Sequence, residues 1–278
     1  MLYCVSHKPL PLPDVPGLQL MQVGGGPDFS PVRDNSGEHI AARNAGYSEA
    51  TAFYQVWKNR PSEFVGFCHY RRFLLTDSLS TRLAGQLHEP CLPDGTPLEN
   101  YASGRRVAPG SFFNALQDRP DYVAQLQSQL GDADVLLPRS NPLPPGGFMA
   151  QYAGSHPLWP FFNLLSLMSK EDNRLAADAV AFFTRARHAY WNNLMLMRGE
   201  LFDQYCQFLF HWLFELEQKT SQPQHPYQKR VFAFLSERLL NFWIHREGLS
   251  VAECDWCMTE DIGMTDEPHQ RRVSASTP

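Results

Sequence analysis

In the stretch Glu63-Phe-Val-Gly-Phe-Cys-His-Tyr-Arg-Arg-Phe73 a buried strand ends abruptly in polar chemistry. Phe64, Val65, Phe67 and Cys68 form a short apolar run with Gly66 inside it, the pattern of a strand covered on both faces. His69, Tyr70, Arg71 and Arg72 follow at once. Arginine presents a planar fork of donors that grips phosphate or carboxylate through two parallel bonds. In open α/β sheets, ligands sit just beyond the carboxyl ends of the strands. The stretch therefore reads as a strand delivering an anion site. The alternative is that both arginines pair with carboxylates at the edge of the core.

Upstream, residues 2–6 and 18–23 read as strands, the second running into Gly24-Gly25-Gly26. That triplet permits a sharp turn or close approach of the backbone to a ligand, but it lacks the spacing of a dinucleotide fingerprint or a P-loop. Asp34-Asn-Ser-Gly37 is turn-forming, and a helical pattern covers residues 40–58. Tyr47, Thr51, Tyr54 and Lys58 share one face of it; Ala50, Phe53 and Trp57 share another. Asn59-Arg60-Pro61 stops the helix before the strand at Phe64. Strand, loop, helix, strand is a βαβ unit and predicts an α/β fold with a mostly parallel, Rossmann-type central sheet flanked by helices.

Downstream, residues 76–110 are rich in Pro, Gly and polar residues and read as a long functional loop. A helix is expected over 111–130, broken near Pro120, and a short buried strand over 134–138. Residues 139–157 read as a second loop over a site. Helices follow at 158–169 and 171–186. Residues 192–197 form the last expected strand, with Asn192 and Asn193 at its entrance. Leu201, Phe202, Tyr205, Phe208, Leu209, Trp212, Leu213 and Leu216 then recur at helical spacing, and a final helix covers about 229–246. The C-terminal part is thus helical. Residues 1–262 are expected to form one domain, and the polar, patternless residues 263–278 a disordered tail.

The 278 residues are 43% hydrophobic and 13% aromatic, enough for a sizeable core. A net charge of -5 gives no basic field, which argues against a nucleic-acid binder, so any anionic ligand needs a local cluster of cations. No apolar run is long enough to span a membrane, and the N-terminus lacks a signal-peptide pattern. Six scattered cysteines suggest reduced thiols in a cytoplasmic protein. Cys254-x-x-Cys257 lacks two further nearby ligands for a zinc site.

Several blocks in order carry a resemblance. They are Tyr3-Cys-Val-Ser-His-Lys8, Gly37-x-x-Ile40 with Asn44, Tyr54-x-x-Trp57-Lys-Asn59 and Gly66-x-x-His-Tyr-Arg-Arg72. Asp134-x-x-Leu-Pro138, Gln151-Tyr152 with His156, Asn193-x-x-x-Met197 and Phe234-Leu-Ser-Glu-Arg-Leu239 continue the series. Together they resemble the DUF4422 family of bacterial glycosyltransferase-like proteins of capsular and exopolysaccharide biosynthesis, over nearly all of residues 2–246. The chain departs from the family where Ser48-Glu-Ala-Thr51 replaces the usual Cys-Glu-Leu-Thr, and where Ala233 replaces a glycine. The resemblance implies a GT-A-like fold and transfer of a hexosyl, or galactofuranosyl, residue from a UDP-sugar to an oligosaccharide or lipid-linked glycan acceptor.

Such a transfer must offset the charge that grows on the departing diphosphate, stabilise a sugar with oxocarbenium character, and activate an acceptor hydroxyl. Arg71 and Arg72 are the candidates for the first task and Glu237 for the base. His7, Lys8, Asn44, His69, Tyr70, Gln151, His156, Asn193 and Arg238, all within the resembling blocks, are the candidate donor-binding residues. Many GT-A enzymes use Asp-x-Asp and a divalent metal, Mn²⁺ or Mg²⁺. Asp132-Ala-Asp134 matches literally but precedes a strand, so no metal ligand is assigned and an arginine clamp is expected instead. Two rivals stay open: a nucleotide-sugar hydrolase or phosphotransferase, and a noncatalytic nucleotide- or glycan-binding subunit of a polysaccharide assembly complex. The aromatic-rich C-terminal helices also leave peripheral docking at the inner face of the membrane open.

Overall fold

The computed structural model describes residues 1–89 and 104–259. Its strands are β1 (Leu2–Ser6), β2 (Leu18–Gln22), β3 (Phe64–His69), β4 (Arg72–Leu75), β5 (Arg105–Val107), β6 (Val135–Pro138), β7 (Asn141–Pro142), β8 (His188–Ala189), β9 (Met195–Arg198) and β10 (Val251–Thr259). The first helices are α1 (Asn44–Tyr47), α2 (Ala50–Asn59), α3 (Asp77–Arg82), α4 (Pro109–Gln117) and α5 (Tyr122–Leu130). The later ones are α6 (Gly147–Ala153), α7 (Trp159–Glu171), α8 (Asn173–Arg185), α9 (Gly199–Lys219) and α10 (Val231–Glu247).

The architecture is α/β, with the sheet between two helical layers. Alternate residues of each strand enter different cores: Tyr3, Val5, Val65, Phe67, Met195 and Met197 one, Leu2, Cys4, Cys68, Leu194 and Leu196 the other. The first core is closed by α2 and α6 to α10, the second by α3 to α5. Burial on both faces is why these strands read as continuous apolar runs. Gly66 is required for close packing: a Cβ there would lie 2.9 Å from Leu2, Leu196 and the Met195 carbonyl.

The expected mostly parallel sheet is corrected to a mixed one. β1 pairs parallel with β2 and β3, as the βαβ reading requires. β4 and β9, however, both run antiparallel to β3, and the pairings β3–β4–β10–β6–β9–β3 close on themselves. The cause lies in the opening stretch. His69 pairs with Arg72 across a two-residue turn, so Tyr70 and Arg71 are the tip of a hairpin rather than the start of a crossover.

Other boundaries shift for local reasons. The helix expected over 40–58 breaks at Ser48, whose φ of 47° and ψ of -126° leave the helical region. The loop expected over 76–110 contains α3, β5 and the start of α4, while residues 90–103 lie outside the described residues. The 139–157 loop contains α6. The strand at 192–197 is not the last: β10 follows the final helix, and the CxxC lies within it. The tail expected from Gly263 falls outside the described residues. No helix among the described residues is long and apolar enough to cross a membrane.

Candidate functional site

The carboxyl ends of β1 and β3 lie side by side, Val5 opposite His69. The hairpin tip beyond them is pinned on both sides, because the Tyr70 N–H donates to the Val5 carbonyl and the Thr259 N–H to the Arg71 carbonyl. The Tyr70 ring gathers its neighbours. His7 meets it edge-on at 4.9 Å, the Lys8 Nζ lies 4.6 Å from its centroid, and the Arg71 guanidinium 5.7 Å away. Four consecutive residues of β3 and its turn thus place a ring, a phenol and two guanidiniums at the strand end.

The opposing wall comes from α10, the turn before β9 and the break between α1 and α2. Glu237, midway along α10, accepts from the Asn192 N–H at 2.9 Å through Oε1 and from Arg238 Nη1 at 2.9 Å through Oε2. Arg238 is itself buried between the Trp191 and Tyr152 rings, 4.8 and 5.2 Å away. Its nitrogens also donate to the Phe234 carbonyl and to Gln151 Oε1. Glu49 accepts from Asn193 Nδ2 at 3.2 Å and faces Arg230 Nη2 at 3.9 Å, while Arg230 Nε donates to Ser48 Oγ.

The charges of these two walls act on each other. Burial raises the Glu237 carboxyl above its ordinary 4.5 and Glu49 pushes the same way, against Arg238, Arg72 and the Asn192 N–H. A carboxylate of raised basicity is what a general base needs. Burial, then the charges of Arg72, Arg71, Arg230 and His7, hold His69 well below the ordinary imidazole range. His7 is lowered by burial, Lys8, Arg230 and Arg71, so both rings are neutral near pH 7. Burial and Arg238 bring His156 down to about 4; its ring stacks on Phe234 at 4.0 Å and pairs with Gln228 at 2.9 Å.

Two further features make this region the candidate ligand site. Buried polar atoms in proteins are nearly always hydrogen-bonded, yet His69 Nδ1, Arg72 Nε, Trp191 Nε1, Asn192 Nδ2, Asn193 Oδ1 and Arg238 Nε are buried here without a partner. Backbone strain also collects here. Among the described residues the non-glycine positions with positive φ are Ser48, Asn192 and Asn193, and each bonds into this site. Such outliers cost about 1–3 kcal/mol each and concentrate at functional sites.

The predicted residues do not all converge equally. His7, Lys8, His69, Tyr70, Arg71, Arg72, Asn193 and Glu237 surround one region. Arg72 senses both Glu49 and Glu237, but among the described residues no carboxylate makes an ion-pair contact with it. Arg238 and Gln151 bond each other behind Glu237, so in the protein alone they hold the carboxylate in place. Asn44 stands to one side, donating to the Ser48 carbonyl and Thr51 Oγ1 beneath the Gly24 turn. Glu49, Arg230, Trp191 and Asn192 were not singled out as site residues from the sequence. Glu49 was visible only as part of the Ser48-Glu-Ala-Thr51 block.

Asp132 and Asp134 lie elsewhere. β6 runs in the same direction as β3, both antiparallel to β9, with Val135 and Val65 level with Met197. Asp134, just before β6, is therefore at the end of the sheet away from His69–Arg72. Its Oδ2 accepts from the Ser250 N–H and hydroxyl at 2.8 and 2.6 Å, joining β6 to β10. Among the described residues no group of three or more His, Cys, Asp or Glu is placed to hold a metal ion. Cys254 and Cys257 are buried thiols, both pushed up by burial, Cys254 to about 12.

A family model described as a domain of unknown function, DUF4422, matches residues 1–248. No protein of curated function matches the sequence. Among solved structures, the apo form of the bifunctional glycosyltransferase WbbM matches with a TM-score of 0.67 at 23% identity, covering 94% of this chain and 45% of that one. The chain thus spans less than half of that protein's length, and the likeness is one of fold.

Proposed function

The chain belongs to the DUF4422 family, and on that footing we propose that it is a GT-A-like glycosyltransferase, moving a hexosyl or galactofuranosyl residue from a UDP-sugar to a growing bacterial surface or exopolysaccharide. The observation that carries this reading is the facing of a cationic strand end by a buried carboxylate. Lys8, Arg71 and Arg72 stand on one side and Glu237 on the other, with Arg230, just before α10, adding a cation from that second wall. As the bond between the anomeric carbon and the diphosphate breaks, its electron pair goes to the phosphate oxygen. Arg71 and Arg72 offset that charge, and pre-placed donors of this kind contribute far more in a water-poor site than in bulk water. The acceptor hydroxyl attacks the anomeric carbon and gives its proton to Glu237. Neutral His69 offers a hydrogen bond without adding charge. His7, Lys8 and Tyr70 bracket the nucleotide end, and Asn193 the sugar. The acceptor, an oligosaccharide or lipid-linked glycan, is met at the inner face of the membrane.

The test is a split between binding and turnover. Glu237→Gln should retain UDP binding while transfer falls by about 10²–10⁴, the usual share of a general base. Unchanged transfer in Glu237→Gln would remove Glu237 as the base, and UDP binding with no transfer by the wild type would move the protein to a noncatalytic binding subunit. Release of free sugar by the wild type, with no dependence on any glycan acceptor, would make it a hydrolase.

A further inference from the structure

Trp191, Asn192 and Asn193 form the turn that leads from β8 into β9. Asn192 and Asn193 have successive φ values of 72° and 52°, a left-handed pair that asparagine tolerates better than most residues. The turn is held from several sides. The Tyr190 N–H donates to Asn241 Oδ1, and Asn241 Nδ2 returns a bond to the Tyr190 carbonyl. The Asn192 N–H is fixed by Glu237, and Asn193 Nδ2 donates to Glu49 and, at 3.4 Å, to Ser236 Oγ. A turn braced this way does not collapse to satisfy its own side chains.

Those residues are 5%, 8% and 4% exposed, and the side chain of each keeps one buried polar atom without a partner: Trp191 Nε1, Asn192 Nδ2 and Asn193 Oδ1. The set is two donors and one acceptor. The two bonds from Asn193 Nδ2 fix which end of that amide is the free carbonyl. A phosphate only accepts, so it would leave Asn193 Oδ1 unpaired, and it would meet the carboxylates of Glu49 and Glu237 beside it. A hydroxyl both donates and accepts. Hydroxyls therefore match this mixed set of donors and acceptor at no cost in charge.

We infer that the Trp191-Asn192-Asn193 turn is the sugar-reading subsite, specific for a neutral ring bearing adjacent hydroxyls, while the β3 end takes the diphosphate. This rests on the glycosyltransferase reading for its donor. The site is thereby divided by chemistry: cations for the anion, a mixed donor and acceptor set for the polyol.

The experiment compares the affinities of UDP, UDP-galactose, UDP-glucose and UDP-galactofuranose for the wild type, Trp191→Phe and Asn192→Gly by calorimetry. Free galactose and glucose are followed in parallel by saturation-transfer NMR. Trp191→Phe keeps the ring beside Arg238, and glycine accepts the positive φ of position 192, so both variants should fold. Each should weaken the preferred UDP-sugar about tenfold, the worth of one hydrogen bond, and leave UDP unchanged. An equal loss for UDP and UDP-sugar, or no loss for either, overturns the subsite while leaving the glycosyltransferase reading in place. If UDP does not bind the wild type, that reading fails on its own. The subsite then stands only if a free hexose binds and loses its signal in both variants, and falls if none binds.

Discussion

Glu237 and Asp134 are carboxylates at opposite ends of the same sheet, and their surroundings treat them in opposite ways. Asp134 is held below its ordinary 3.8, first by the Ser250 hydroxyl and then by the Ser250 N–H. Its Oδ2 takes two bonds within the protein and joins two strands. Glu237 is raised by burial, sits beside a second carboxylate, and is surrounded by strained backbone and polar atoms without partners. A literal Asp-x-Asp motif marks the first, and a helix interior with no such motif holds the second. The difference teaches that surroundings, rather than motif, separate the two carboxylates: both accept hydrogen bonds within the protein, but of the two Glu237 alone lies among strained backbone and buried polar atoms without partners.

The sharpest way to break this contrast is to neutralise each carboxylate. Glu237→Gln should lower turnover by about 10²–10⁴ with UDP affinity retained. Arg72→Ala should follow, with a loss of about 10²–10³ in kcat/KM as the diphosphate loses a pre-placed donor; steady-state kinetics with a UDP-sugar donor measures both. The pH dependence comes next. Glu237 must be ionised to accept a proton and its folded pKa lies above 4.5, so the acid limb of kcat/KM should fall above pH 4.5 and move in Arg72→Ala, whose charge opposes that rise. His156 titrates at about 4 in the folded protein against 6.5 when unfolded. Below pH 6.5 the unfolded chain therefore takes up a proton that the folded one refuses, and stability should fall between pH 6.5 and 4. Thermal melts of wild type and His156→Gln check this.

The smallest effect belongs to Asp134. Asp134→Ala should leave turnover unchanged and lower Tm by about 2–4 °C, the cost of about 1 kcal/mol in a domain of this size. Because its folded pKa is depressed, its contribution is present above pH 3.8 and is lost as pH falls through the lower folded value. A mutant that melts normally and loses transfer would reverse the assignment of the two ends.

Much of the fold was legible because local pattern and tertiary burial agree. β3 and α9 show it: the first is an unbroken apolar run covered on both faces, the second an apolar stripe at helical spacing. β10 was not legible because Glu253 and Asp255 interrupt its run, and only the folded structure supplies Arg139 and Arg105 to pair with Asp255. The Tyr70-Arg71 turn carries neither glycine nor asparagine, so nothing local announced a hairpin, and the sheet was read as more parallel than it is. Within the site, the strand end showed itself through the abrupt change from apolar to basic residues. Glu49 and Arg230 did not, because their roles arise from a break in a helix and from the residue that precedes α10, which only tertiary packing brings together.

The most direct test is calorimetric titration of UDP into wild type, Arg72→Ala and an Asp132→Ala, Asp134→Ala double variant, each with Mn²⁺ and then with EDTA. Binding to wild type and to the double variant that survives EDTA, and is lost in Arg72→Ala, is the expected result and places the diphosphate at the end of β3. Binding that requires Mn²⁺, persists in Arg72→Ala and vanishes in the double variant would contradict it and move the site to the opposite end of the sheet.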